Sequence, residues 1–430
     1  MAVIAATGSD VAQGPARPTA YGWAVFALSF GLLISDYMAR QVLNSVFPLI
    51  KTEWTLSDAQ LGLLSGVVAV MVGLLTFPLS LLADRWGRVK SLTLMAVLWS
   101  LATLLCAAAQ NYGQMLAGRV MVGLGEAAYG SVGIALVISV FPQRMRSTLS
   151  AAFMAGGLFG QVLGVALGGE IAASHGWRSA FVAIGLAGLV LAILFPLIVN
   201  ERRNRVLAGE VASSTDVAPR PSLKSLFACR SVTLAYIGSG LQLFGAGALP
   251  AWMPTFLGRY HGMAVDEAGR TSALLFLICG AGMVLCGMAS DHFARQRPDR
   301  KIALAIVYCL GSALALSLAM QCAPGGLQLV LLGVALFLIA GTTGPAGAMV
   351  ANLTPLAIHG TAFATLTLAN NILGLAPGPI VTGRLADSFG LLEAFRLIPI
   401  ASVAAAIVFA MARKSYLSDL ARIDQAGVQS

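Results

Sequence analysis

The chain has 430 residues, of which 58% are hydrophobic and only 10% charged, with a formal net charge of +9 and a mean hydropathy of +0.83. Soluble domains carry roughly 25% charged residues, so this composition cannot cover a water-facing surface and most of it must meet lipid or other apolar helices. The positive charge sits mostly in short loops, which fits membrane topology and argues against a nucleic-acid partner.

Apolar stretches of about 20 residues read as spanning helices. Twelve are expected, at 22–48, 59–83, 91–110, 113–141, 148–173, 178–199, 231–257, 267–290, 302–321, 327–351, 360–386 and 391–412. The first 20 residues lack a basic stretch followed by a cleavable apolar one, so the first segment is expected to stay as a membrane helix. The longest polar stretch, Glu201 to Arg230, reads as a linker between two halves, and its end, Ser222 to Phe227, as either a short interfacial helix or a disordered tether. The expected organisation is a tail (1–20), a first six-helix bundle (21–200), the linker (201–230), a second bundle (231–413) and a second tail (414–430). Cytoplasmic placement of both termini gathers Arg85, Arg88, Lys90, Arg144, Arg146, Arg202, Arg203, Arg205, Arg295, Arg297, Arg300 and Lys301 on one side, as the positive-inside rule requires. An internal repeat supports two halves: Gly160, Gly164, Gly169, Gly176 and Phe181 recur 214 residues later as Gly374, Gly378, Gly383, Gly390 and Phe395.

An ionisable side chain in hydrocarbon costs roughly 2.5 kcal/mol or more and so marks function or a specific partner. Deep in the expected spans lie Asp36, Arg40, Arg119 and Glu126, all in the first half. Asp36 and Arg40 are four apart and share a helix face. Arg119 and Glu126 also share one, separated by about 10.5 Å along the axis. A carboxyl in an apolar, partly wet cavity takes up a proton more readily than one in water, and Arg holds a carboxylate or phosphate with two parallel bonds. Each pair by itself fits a structural salt bridge; taken together the four also fit a proton and anion site, with Glu126 and Asp36 as the expected proton carriers and Arg40 and Arg119 as the expected anion anchors. Tyr129, Gln161, Gln242, Asn370 and Asn371 are polar intramembrane residues that can line a substrate cavity or join helices.

Leu82-Ala83-Asp84-Arg85-Trp86-Gly87-Arg88-Val89-Lys90 resembles the G-x-L-a-D-R-x-G-R-k loop of the major facilitator superfamily, with Ser80 in place of its first glycine. Asp36 to Asn44 resembles N-x-x-D-R-q-v-l, and Arg119 to Ala127 resembles R-x-x-x-G-x-G-E-a, of the spinster-like branch. In the first of these the family's acid falls on Ala39 here, and an acid stands one turn earlier at Asp36. The resemblance implies an all-α membrane protein with twelve helices in two pseudo-symmetric bundles, working as a monomer in a bacterial inner membrane. It implies proton-coupled transport of a small amphipathic or anionic molecule, lysolipids included, by alternating access. An organic-anion/proton symporter for sugar or aromatic acids is the alternative, and a receptor or scaffold without net transport the rival of another class. Asp84, Arg85, Gly87, Arg88 and Arg144 are then expected at a cytoplasmic gate. No catalytic motif, nucleotide-binding loop or cofactor signature is present. The four histidines and six cysteines show no metal spacing.

Overall fold

The computed structural model describes residues 19–142, 145–208, 226–227, 229–294, 297, 299–354 and 358–428. Arg144, the N-terminal tail up to residue 18, and linker residues 209–225 and 228 lie outside the described residues. Among the described residues the protein is entirely helical.

The first half contains α1 (Ala20–Ser45), α2 (Phe47–Trp54), α3 (Asp58–Trp86), α4 (Arg88–Ala108), α5 (Tyr112–Glu126), α6 (Tyr129–Ser139), α7 (Arg146–His175) and α8 (Trp177–Ile198). A short helix α9 (Glu201–Ala208) begins the linker. The second half contains α10 (Arg230–His261), α11 (Val265–Phe293), α12 (Arg300–Ala319), α13 (Gly326–Ile339), α14 (Thr343–Leu353), α15 (His359–Asn370), α16 (Pro377–Phe389) and α17 (Leu391–Val428).

Eleven helices are long and apolar enough to cross a membrane among the described residues. α5 with α6 makes one crossing and α13 with α14 another. The twelfth, 359–389, is divided by a π-helical turn at Asn371–Leu375, so the predicted continuous helix 360–386 is two helices in line. Such turns shift the helix register locally and recur at functional sites. The predicted first helix is also broken, at Val46, with Pro48 starting the short α2.

The predicted C-terminal tail is helical as far as Val428, because α17 continues past the membrane and packs back. Asp419 is buried and accepts hydrogen bonds from Ser231 N at 3.1 Å and Ser231 Oγ at 2.7 Å, which satisfies the start of α10. Tyr416 joins the same apolar cluster as Leu226 and Tyr236.

The repeated glycines occupy equivalent places in the two halves. Gly160 and Gly164 of α7 leave room for Ile34, Tyr37 and Met38 of α1, while Gly374 and Gly378 admit Gly240, Leu243 and Phe244 of α10. A side chain at any of these would strike backbone or Cβ atoms of the partner helix. Gly176 and Gly390 end α7 and α16 at φ +83 and +87, a conformation that costs an L side chain. Phe181 and Phe395 are both fully buried.

One face of the molecule carries the start of α1, the α3–α4 turn, α9 and the end of α17; we term it the linker face. On the opposite, far face the halves are sealed. Gly62 and Gly66 of α3 pack against Pro379, Ala376 and Ile380, and Gly169 of α7 lies against Val265 and Gly269 of α11. Small residues allow this closeness between helices in a membrane.

Candidate functional site

Between the halves lies a cavity of about 180 Å³, walled by Tyr37, Arg40, Gln41, Asn44, Ser65 and Gln161 from the first half and by Ala246, Gly247, Pro250, Ala251, Leu375 and Pro379 from the second. The polar side chains all come from the first half. α1 supplies most of them because Tyr37, Arg40, Gln41 and Asn44 recur at helical spacing on one face.

Arg40 donates through Nε at 3.0 Å and Nη2 at 2.8 Å to one oxygen, Oε2, of Glu126. The Glu126 side chain is fully buried, whereas that of Arg40 keeps 23% of its surface. Arg40 also lies 5.4 Å from the centre of the Tyr37 ring, a cation–π contact that steadies it. Glu126 Oε1 and Asp36 Oδ1 are buried without a hydrogen-bond partner, and Asp36 stands in the field of both Glu126 and Arg40. Two carboxyls and one guanidinium thus form a cluster that reaches the cavity through Arg40. An unpaired buried carboxylate oxygen is costly unless a polar group or a cation stands near it.

The other expected site residues fall elsewhere. Arg119 is wholly buried and spans the interior of the first half, donating to Leu64 O at 3.2 Å, Ala39 O at 2.9 Å and Arg40 O at 3.1 Å. Rather than reaching the cavity as an anion anchor, it holds α1 and α3 together at the level of the cluster, because backbone carbonyls take up its donors. Tyr129 is likewise buried and donates to Ser29 O at 2.9 Å. Gln242 bonds Ser312 Oγ at 3.1 Å inside the second half. Asn371 bonds Thr367 O at 2.9 Å within its own helix. Asn370 is half-buried beside it, with Oδ1 unpartnered. Of these five, none lines the cavity; Gln161 does.

Gln41, Asn44 and Ser65 are wall residues not singled out in the sequence. Asn44 Nδ2 donates to Gln41 Oε1 at 2.5 Å, and Asn44 Oδ1 is buried without a partner. Extending the Asp36–Arg40 face by one turn points to Asn44; nothing in the sequence marks Ser65.

The far face carries a second cluster. Asp58, at the start of α3, accepts two 2.7 Å hydrogen bonds from Arg259 of α10 and pairs with Lys51. Asp387 of α16 accepts the backbone N–H groups of Asp58 and Ala59 at 2.7 and 2.8 Å, a helix N-terminus capped from the opposite half. Phe47 and Trp252 meet at 5.2 Å between ring centres. Arg270 and Glu170 add an exposed contact at 3.8 Å. Among the described residues, the polar links that can be named between the halves all lie on this face.

At the linker face, Gly87 (φ +99) ends α3 and starts α4. Glu201 of α9 accepts from Arg88 N at 3.3 Å and Val89 N at 2.8 Å. The N-terminus of α4 is thus satisfied by Glu201. Arg85 is exposed and Arg88 half-buried. Tyr21 ties α9 down further, its hydroxyl donating to Asn204 Oδ1 at 2.7 Å and accepting from Asn200 N at 2.9 Å.

Residues 29–344 match the family described as Major Facilitator Superfamily. The gallate transporter of Pseudomonas putida is 26% identical over 420 residues, covering 91% of this chain and 92% of the relative. Protein spinster of Drosophila melanogaster is 26% identical over 299 residues, 66% of this chain and 49% of the relative. The fold is similar to the crystal structure of a bacterial homologue of the human lysosomal transporter spinster, in an inward-facing and unoccupied conformation. That similarity has a TM-score of 0.80 at 20% identity, over 93% of this chain and 98% of the other.

Proposed function

This chain belongs to the major facilitator superfamily, and from that premise we propose that it carries a small organic anion across the membrane together with a proton. It is a multi-pass membrane transporter; the anion and the proton are our reading. The observation that carries it is Arg40 on the cavity wall, paired behind that wall with the buried Glu126 and close to Asp36. A substrate carboxylate and the Glu126 carboxylate compete for one guanidinium. Protonation of Glu126 removes its charge and weakens its hold on Arg40, which then binds the substrate bidentately. Proton and anion therefore bind together, which is symport. Asp36 shares the proton and keeps it out of bulk water.

Topology follows from charge. The gathering of basic loops supports a cytoplasmic linker face, with both termini and α9 on that side of a bacterial inner membrane. The far-face seal then makes this the inward-facing state. The cavity, about 180 Å³, lies below the 300 Å³ or so at which drug-sized sites begin and suits a sugar acid or a compact aromatic acid. The gallate transporter, named for an aromatic acid, supports this choice.

A second reading has one observation in its favour. The second-half wall has no polar side chain, as an amphipathic lipid with its head at Arg40 and its tail across the cavity requires. The likeness of the Asp36–Asn44 and Arg119–Ala127 stretches to the spinster-like branch is what implies such a substrate.

Proteoliposomes with an internal pH dye separate the readings when challenged with gallate, galactonate and a lysophospholipid. Substrate-driven proton entry with either acid, lost in Glu126→Gln, is expected. Acid uptake with no proton movement, unchanged in Glu126→Gln, overturns the coupling. A response to the lysophospholipid alone selects the second reading.

A further inference from the structure

The basic turn between α3 and α4 sits at the mouth of a groove separate from the cavity between the halves. Arg85 and Lys90 are exposed and Arg88 is half-buried. α9, docked beside them through Glu201 and Tyr21, adds Arg202 and Arg203, both exposed. Over residues 84–90 and 201–205 the sequence places six cations against two acids, Asp84 and Glu201. Next to this patch, α3, α4 and α5 enclose a groove of about 220 Å³ lined by Leu82, Trp86, Ser91, Leu94, Leu98 and Leu124, among others.

Three features set this groove apart from an ordinary lipid-facing surface. It runs from Ser91 to Leu98, about 10 Å along the helix axis, so it leads from the basic turn toward the bilayer centre. It opens outward, with Trp86 and Leu94 each 56% exposed at its edge. Ser91 is 4% exposed, and its hydroxyl has no hydrogen-bond partner. A lone unsatisfied hydroxyl in an apolar slot is costly unless something polar reaches it.

We propose that this groove is a site for an anionic phospholipid of the linker-side leaflet. One acyl chain lies along Leu82, Leu94, Leu98 and Leu124. An ester carbonyl accepts from Ser91 Oγ, and the headgroup phosphate meets Arg85, Arg88 and Lys90. Net negative charge is what the patch selects: a zwitterionic lipid brings the same tail but adds a cation to a surface already rich in them. Trp86 ends α3 beside the basic turn, the end of a span being where indole rings collect. The site is independent of the transported molecule.

The test is native mass spectrometry of the full-length protein in detergent, offered equal amounts of palmitoyl-oleoyl phosphatidylglycerol and phosphatidylcholine. Phosphatidylglycerol adducts are expected to exceed phosphatidylcholine adducts by at least about tenfold. The triple variant Arg85→Gln, Arg88→Gln, Lys90→Gln is expected to abolish that preference. Leu94→Trp, at an exposed apolar position that tolerates an aromatic ring, is expected to fill the groove and remove the retained lipid, with thermal melting confirming that the variant folds. Equal retention of the two lipids by the unmodified protein, or undiminished phosphatidylglycerol in Leu94→Trp, overturns the proposal.

Discussion

Arg259 holds Asp58 across the interface between the halves with two hydrogen bonds of 2.7 Å, and Asp58 is also the residue whose backbone N–H is capped by Asp387. One short stretch of α3 is thus fastened to α10 through its side chain and to α16 through its backbone. These bonds join the two bodies that must separate for the cavity to reach the far side. They stabilise one end state of the cycle without touching the substrate.

Removing the charge of Asp58 is therefore expected to shift the conformational balance. A charge-assisted hydrogen bond contributes about 1.5–3 kcal/mol, which corresponds to a population change of roughly tenfold to a hundredfold. Spin labels at Thr52 and Ser388, both exposed at the far face, should show a longer-distance population in Asp58→Asn that is minor in the unmodified protein. An unchanged distance distribution would mean that apolar packing alone holds the gate.

Gly66 provides a separate handle on the same seal. A methyl group there would stand 2.6 Å from Ala376 O and from the Ile380 side chain, closer than any real contact. Gly66→Ala is expected to open the far face in the same label experiment while leaving the charges intact. Retention of the closed distance would show that α3 and α16 slide apart at little cost.

Arg40→Lys tests the anchor. Lys keeps the charge but loses the two-pronged geometry that reaches Glu126 Oε2. For whichever acid gives a signal, KM is expected to rise about tenfold or more, with a smaller change in kcat. Equal loss of both would place Arg40 in the conformational step instead.

Arg119 answers to a different measurement. Its three bonds to Leu64, Ala39 and Arg40 carbonyls lie in the interior of the first half. Arg119→Met removes three charge-assisted hydrogen bonds, at about 1.5–3 kcal/mol each, so a marked fall in melting temperature and yield is expected. A normally stable protein with a raised KM would restore Arg119 to the substrate site.

Glu53 gives a pH signature outside the membrane. The hydrogen bond from Trp177 Nε1, at 2.6 Å, together with Arg178, holds its carboxyl below the usual glutamate range. A depressed folded-state value adds stability that is complete above the unfolded value near ~4.3 and is lost as pH falls through the folded value. The melting-temperature gap between unmodified protein and Glu53→Gln should be constant above about pH 5.5 and close in acid, following that linkage. A gap independent of pH would mean that the indole contact acts through shape alone.

The sequence by itself determined the membrane setting, the number of crossings and the two-fold plan. Those depend on local composition and on the 214-residue repeat, which the structure renders as equivalent helix contacts of Gly160 and Gly374. It also marked the intramembrane charges, because such charges are too costly to be incidental. It did not determine which charges meet. Arg119 and Glu126 share a helix, yet Glu126 pairs with Arg40 of α1 while Arg119 turns to backbone carbonyls. Asp58, Arg259 and Asp387 lie hundreds of residues apart at helix ends, where a charged residue is ordinary. Only the packing of α3 against α10 and α16 makes them one cluster, since an ion pair's energy depends on a separation that the order of residues along the chain does not contain.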